Sequence, residues 1–337
     1  MYLATTALLL LLLIVSRADW SQSWKKTSSA IAPHYLSNKN VYMSFLVNIA
    51  KQRGISLEVF ELMVHDDKDN CNMDLDPSHK ILLHISDEHN VVLAGGRGVH
   101  PSVRSGRVPT RDNSSFYLVR LNYPSCVAAS DIVLEYSNMN IQNLRLSGFY
   151  DSEFLNKYVY VPPMPFAYDP LKKNHSLHVM ITTFGYPSPG DRRSIISSEI
   201  GNNLIDIRNV HYSSLDEYAA HLDEARILVN VHQTPHHHTL EEFRILPALL
   251  RGVIVVSEWV PLQDTIFFAE YIIFAPYNEI VKTAIHVNEN YNEIWNRIYG
   301  NTSYIRRTLS LALNNSYASL DRLIVNVSLK KNITFQR

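Results

Sequence analysis

The sequence predicts an α/β protein of two doubly wound domains facing each other across a cleft. Three observations carry this. Apolar runs of strand length recur along the chain, helical patterns alternate with them in the second half, and one proline-rich stretch, "VPPMPFAYDP" at 161–170, divides the series. Strand–helix alternation with short links is the mark of parallel sheets covered by helices on both faces. Four prolines in ten residues continue neither a helix nor a central strand, so the expected domains are 39–165 and 166–300. At 337 residues, 46% hydrophobic and 19% charged, the chain can bury two cores.

The first twenty residues hold an unbroken apolar run, Ala7 to Val15. It is short for a membrane span of roughly 20 apolar residues and suits a signal peptide over 1–18, with a short anchor as the alternative. Ser16-Arg17-Ala18 forms a cleavage site before Asp19, and Arg17, Lys25 and Lys26 follow the run while no Lys or Arg precedes it. That bias opposes an anchor with its N-terminus in the cytosol. Residues 19–38 are a polar lead-in. Sequons at Asn113, Asn174, Asn301, Asn314, Asn326 and Asn332 agree with a lumenal or secreted protein. In such a compartment Cys71 and Cys126, the only cysteines, are able to pair; the sequence leaves disulfide and free thiols open.

"NVYMSFLVNIAKQRG" (40–54) reads as an amphipathic helix closed by Gly54, and "ISLEVFEL" (55–62) as a strand. "KILLHISDE" (80–88), "SFYLVRLNYP" (115–124), "DIVLEYS" (131–137) and "KYVYVPP" (157–163) are apolar on both faces and are expected as buried parallel strands. In the second half, strands are expected at 177–185, 205–211, 225–231, 252–258 and 270–276. Helices are expected at 191–203, 214–222 and 239–252, and from 278 onward, ending in a C-terminal helix and sequon-rich tail over 301–337.

Ligands of open parallel sheets sit beyond the carboxyl ends of the strands. Those ends supply His84, Ser86, Asp87 and Glu88, then Glu135 to Ser137, then Gly185 to Arg193, His232 to His238, and Ser257 with Glu258. The stretch "HQTPHHHTLEEFR" (232–244) runs from a strand end into a helix. Thr239 and Glu242 have the spacing of a capping box, which starts that helix at Leu240 and leaves its N–H groups facing the loop, as suits a phosphate. Arg244 one turn in, and Arg192 with Arg193 at a second helix start, add bidentate anion contacts. The alternative in both places is a capped turn whose charges face water.

Zinc would take His232, a later histidine and Glu241, but His236, His237 and His238 are consecutive and the H-E-x-x-H spacing is absent, so no metal is expected. The pairs Asp67/Asp69 and Asp74/Asp76 lie in polar sequence and read as surface loop, as does "LAGGRG" (93–98). A formal net charge of −1 gives no pull toward nucleic acid, and a membrane enters only through the N-terminal run.

"FG" followed by "DRRSII", then "ILVNVHQT", Glu241-x-x-Arg244, and "ALLRGVIVVSE" with "PL" soon after fall in order over about 180–280. Together they resemble the C-terminal domain of GT-B glycosyltransferases with a spore-maturation-type, group-one-like region. The resemblance implies two Rossmann-like domains and a metal-independent sugar transfer with no tightly bound cofactor. The C-terminal domain would hold a nucleotide-sugar co-substrate through Arg192, Arg193, His232, Gln233, His236, Thr239, Glu241, Arg244 and Glu258. The N-terminal domain would hold a glycan, protein or lipid acceptor, with Asp87, then Glu88 or His84, as base if the reaction inverts the sugar carbon. In one place the chain departs from the family: Pro247 stands where many such enzymes carry a ribose-binding glutamate, leaving Glu241, Glu242 or Glu258 as substitutes. A GT-B-like glycan or nucleotide-sugar binder without catalysis, and a histidine-dependent metal hydrolase, are the two other readings.

Overall fold

The computed structural model describes residues 42, 46–63, 71, 79–86, 91–93, 105–109, 116–121, 124–148, 150–164, 178–182, 191–203, 205–211, 215–232 and 239–333. In chain order the first half holds β1 (Phe60–Leu62), β2 (Ile81–Ser86), β3 (Val91–Leu93), β4 (Ser105–Pro109), β5 (Phe116–Arg120), α1 (Pro124–Ala129), β6 (Ile132–Glu135), α2 (Asn138–Leu146), α3 (Ser152–Leu155) and β7 (Tyr158–Tyr160). The second half holds β8 (His178–Thr182), α4 (Arg192–Asn202), β9 (Ile207–Val210), α5 (Leu215–Glu224), β10 (Ala225–Asn230), α6 (Glu242–Leu250), β11 (Ile254–Glu258), β12 (Ile272–Ala275), α7 (Ile280–Glu289), α8 (Tyr291–Tyr299) and α9 (Thr302–Lys330).

Two parallel sheets result, in the orders β1-β2-β6-β7 and β12-β11-β10-β8-β9. This is the expected α/β class. Strands β2, β6, β8 and β11 are buried along their whole length, as helices on both faces demand. The strand expected over 55–62 is confined to Phe60–Leu62, because Ser56 caps a 3-10 turn over Leu57–Val59. A second expectation is overturned. "SFYLVRLNYP" forms β5, which pairs antiparallel with β3 and β4 in a separate three-stranded sheet. An apolar run fixes neither partner nor direction; a parallel neighbour needs a crossover of roughly a dozen residues or more, whereas only 110–115 separate β4 from β5.

Each sheet has its own core. Ile81, Leu83, Ile132, Leu134 and Val159 anchor the first, with Leu46 and Ile49 of the helical segment 46–53 packed on it, and Gly54 closes that helix at φ +65°. Val179, Ile181, Leu228, Val255, Leu246 and Leu249 anchor the second. The 29-residue α9 joins both: Ile305 and Leu309 sit in the second core, Leu320 and Ile324 in the first. Polar ties fix its far end, with Arg53 donating two hydrogen bonds to Asp321 (2.7 and 2.5 Å) and Lys331 one to Asp131 (2.5 Å). Cys71 and Cys126 are disulfide-bonded, which ties residue 71 to α1. Among the described residues no helix is long and apolar enough to cross a membrane; the run Ala7–Val15 lies outside them.

Candidate functional site

The order β12-β11-β10-β8-β9 places β9 on one side of β8 and β10 on the other. Chain direction across the sheet therefore reverses between β8 and β10, and the switch point between their two outgoing loops is where open α/β sheets take ligands. Those loops run through 183–190 and 233–238, outside the described residues together with Gln233 and His236. Arg192, Arg193, His232, Thr239, Glu241 and Arg244 frame them, and Glu258 ends the next strand, β11.

Glu258 is the hub. One carboxylate oxygen accepts from Arg192 Nη2 (2.6 Å) and the other from the backbone N–H of His232 (2.9 Å). Arg192 also reaches the His232 carbonyl (3.4 Å), and its guanidinium lies 3.9 Å from the centre of the Tyr277 ring. The Tyr277 hydroxyl donates back to the Arg192 carbonyl (3.2 Å). Next to Glu258, Asn230 Nδ2 donates to Ser257 Oγ (3.0 Å), joining the ends of β10 and β11. The start of the histidine loop is thus held by a clamp built from α4, β11 and Tyr277. Arg192 and Glu258 cancel each other's charge.

A second cluster lies beneath. Arg193 donates through Nε to the Val231 carbonyl (2.9 Å), and its Nη2 lies 3.9 Å from Glu241 Oε1. Arg244 Nη1 lies 3.4 Å from the same oxygen, and Tyr218 donates to the Arg244 carbonyl (2.8 Å). Both guanidinium groups are 2% exposed. Arg193 and Arg244 thus share Glu241, close to where α4 and α6 begin.

The helix starts differ from expectation. Asp191 caps α4 and accepts from the N–H groups of Arg193 (3.1 Å) and Ser194 (3.4 Å), so the chain's own carboxylate already occupies part of that anion site. Helix α6 begins at Glu242 rather than Leu240, and the capping box of Thr239 and Glu242 does not form. The Thr239 hydroxyl is buried without a hydrogen-bond partner among the described residues. Glu242 instead turns to the other half of the molecule: its oxygens accept from Tyr160 Oη of β7 (2.6 Å) and from the backbone N–H of Asn138 at the start of α2 (3.2 Å). A side chain given a buried phenol and a helix N-terminus has two charge-favouring donors there, against one in a local box. Neither Glu242 nor Glu258 therefore has a carboxylate oxygen without a protein partner to offer a ribose. Pro247 lies buried inside α6.

His84 lies within β2, opposite Val133, and is 2% exposed; Asp87 and Glu88 are outside the described residues, as are the pairs Asp67/Asp69 and Asp74/Asp76. Among the described residues no group of three or more His, Cys, Asp or Glu side chains is arranged to hold a metal, and His236 to His238 lie outside them.

Sequence reasoning passed over Trp259. It follows Glu258 at the mouth of the clamp and is 44% exposed, while its backbone is fixed by an N–H bond to the Ala275 carbonyl (2.9 Å) and by its own carbonyl, 3.4 Å from His232 Nε2. A tryptophan directly after a polar strand end, "VVSEW", was the available signal.

No known family's sequence model matches this chain, and no curated protein matches it. Among solved structures it is similar to the glycosyltransferase of kitacinnamycin, at 12% identity and a TM-score of 0.34 over 60% of this chain. The chain spans 57% of that structure's length. A TM-score of 0.34 is too low to carry an argument about fold or chemistry.

Proposed function

We propose that this protein is a metal-independent glycosyltransferase of the secretory pathway, moving a sugar from a nucleotide-sugar to a glycan, protein or lipid acceptor. The observation that carries the reading is the switch point between β8 and β10, lined by Arg193, Arg244, the Arg192–Glu258–His232 clamp and an exposed tryptophan. Arginines on the elements that border the switch point suit the diphosphate that gathers charge as the glycosidic C–O bond breaks. The indole face of Trp259 suits the ring of a base or a sugar. The acceptor oxygen forms the new bond and loses its proton to a base, for which Asp87, Glu88 and His84 of the first half are the candidates. In a retaining reaction no such base is required.

A second reading, a binder of the same ligand without turnover, is favoured by Pro247 and by the full engagement of Glu242 and Glu258. The experiment that separates them is titration of the protein with UDP, GDP, CMP and their sugars, read by intrinsic fluorescence and followed by a donor-hydrolysis assay. Trp259→Ala is expected to weaken binding about 5- to 150-fold, from the ~1–3 kcal/mol that ring stacking on an aromatic contributes, without lowering the melting temperature. Binding of no nucleotide would sink both readings. Binding without hydrolysis or transfer would leave the second.

A further inference from the structure

The Glu242 contact pairs two carboxylates on one helix start. Glu242, from the second half, accepts from the N–H of Asn138 (3.2 Å); Glu135, at the end of β6, accepts from the N–H of Ser137 (3.0 Å) and from Asn140 Nδ2 (2.9 Å). Adjacent backbone amides of one turn thus each bind a different carboxylate. Both residues are at most 1% exposed. Around them Phe243 stacks on Tyr136 with ring centres 4.7 Å apart, and Tyr42 meets the edge of Phe243 at 6.2 Å. Water is excluded, and two negative charges so placed repel strongly.

We propose that this pair is a proton-dependent joint between the two halves of the protein: closed, it holds one proton, and opening releases that proton to solvent. The inference stands apart from the glycosyltransferase reading. Buried away from water, the Glu242 carboxyl is pushed up to about 8; the hydrogen bonds from Tyr160 and Asn138 oppose that shift and Glu135 adds to it. Tyr160 of β7 faces both carboxylates and Tyr158 faces Glu135, with Tyr42 next to Tyr160. Burial holds the phenols of Tyr158 and Tyr160 well above their usual range, so they stay neutral while the pair titrates. On α6 itself, Glu241 and Arg244 face each other.

The sign follows from linkage. The closed joint keeps its proton up to about pH 8, while an opened, hydrated glutamate loses it above pH ~4.3. Opening therefore becomes easier by up to about tenfold per pH unit across that window and levels off above it.

The test is hydrogen exchange of the full chain from pH 5 to 9, corrected for the intrinsic pH dependence of exchange. The amide of Asn138, which donates to Glu242, reports the joint, and those of β10 and β11 serve as internal reference. The expected result is a loss of protection at the joint that grows with pH to about 8 and then stops, with the reference unchanged. Glu242→Gln keeps the shape but has no proton to release, so its opening should be independent of pH over the same range. A merely structural role would raise opening at every pH and leave the slope intact, and that outcome overturns the proposal, as does a flat wild-type profile. Tyr160→Phe is the second variant. Removing a donor to the ionised form moves the levelling-off point upward; a point that stays or falls also overturns the proposal.

Discussion

Replacing Glu258 by alanine tests the clamp at the switch point. The pair it forms with Arg192 is largely enclosed, at 6% and 16% side-chain exposure, and its second oxygen serves the His232 N–H. Removal leaves a guanidinium without its counter-charge and a buried amide without an acceptor. Breaking one side of a buried pair costs about 3–5 kcal/mol, and an orphaned buried donor about 1–3 kcal/mol. Arg192 retains the Tyr277 face and part of the His232 carbonyl, so the lower ends apply and about 4 kcal/mol is expected in total. The assay is urea unfolding followed by both circular dichroism and fluorescence, because two cores need not unfold as one transition. The companion is a cycle with Arg192→Met: the double variant should be about 1–3 kcal/mol more stable than additivity of the singles allows. A cost below about 1 kcal/mol for Glu258→Ala, or strict additivity, would refute the argument that this ion pair holds the histidine loop.

Stability should also fall with rising pH. Glu242 carries a folded-state value of about 8 against an ordinary 4.5, so its stabilising proton is fully bound below about 4.5 and its contribution is lost as pH climbs to 8. At about 1.4 kcal/mol per unit the upper limit is about 5 kcal/mol, and Glu242→Gln should flatten that part of the curve in urea titrations. Reducing the Cys71–Cys126 bond reopens a loop of sequence separation 55. Chain entropy sets that at about 4 kcal/mol, and a reduced protein melting within a degree or two of the oxidised one would show that the bond adds little. Tyr299→Phe removes the donor to the Val253 carbonyl (2.7 Å, buried) and should cost about 1–2 kcal/mol in the same titration.

What the sequence made legible follows from what periodicity encodes. Strand-length runs of Val, Ile and Leu located β2, β6, β8, β10 and β11, because burial on both faces leaves a composition that needs no partner to be recognised. Pairing direction is not encoded in that composition, and β5 went to a local antiparallel sheet for that reason. The same limit governs side chains. Asp191 was readable as a helix opener since its partners lie two and three residues away. Glu242 was read as the second half of a capping box by the same local rule, although its partners lie 82 and 104 residues away on a different sheet.

That failure bears on how the switch point works. A sequence that places two glutamates side by side at a helix start, Glu241 and Glu242, gives them opposite tasks according to which way each turns. Glu241 faces Arg193 and Arg244 within its own half. Glu242 faces away, into the first half, and fixes where α6 sits against α2 and β7. Glu241 and Glu242 are neighbours at the start of α6, so an opening of the proposed joint that moved α6 would also move Glu241 and Arg244. Under the proposal, the contact between the halves and the Arg193–Glu241–Arg244 cluster are joined through one peptide bond. Ligand binding at the switch point and proton release at the joint should therefore each depend on the other, to an extent set by how far α6 moves between the open and closed states.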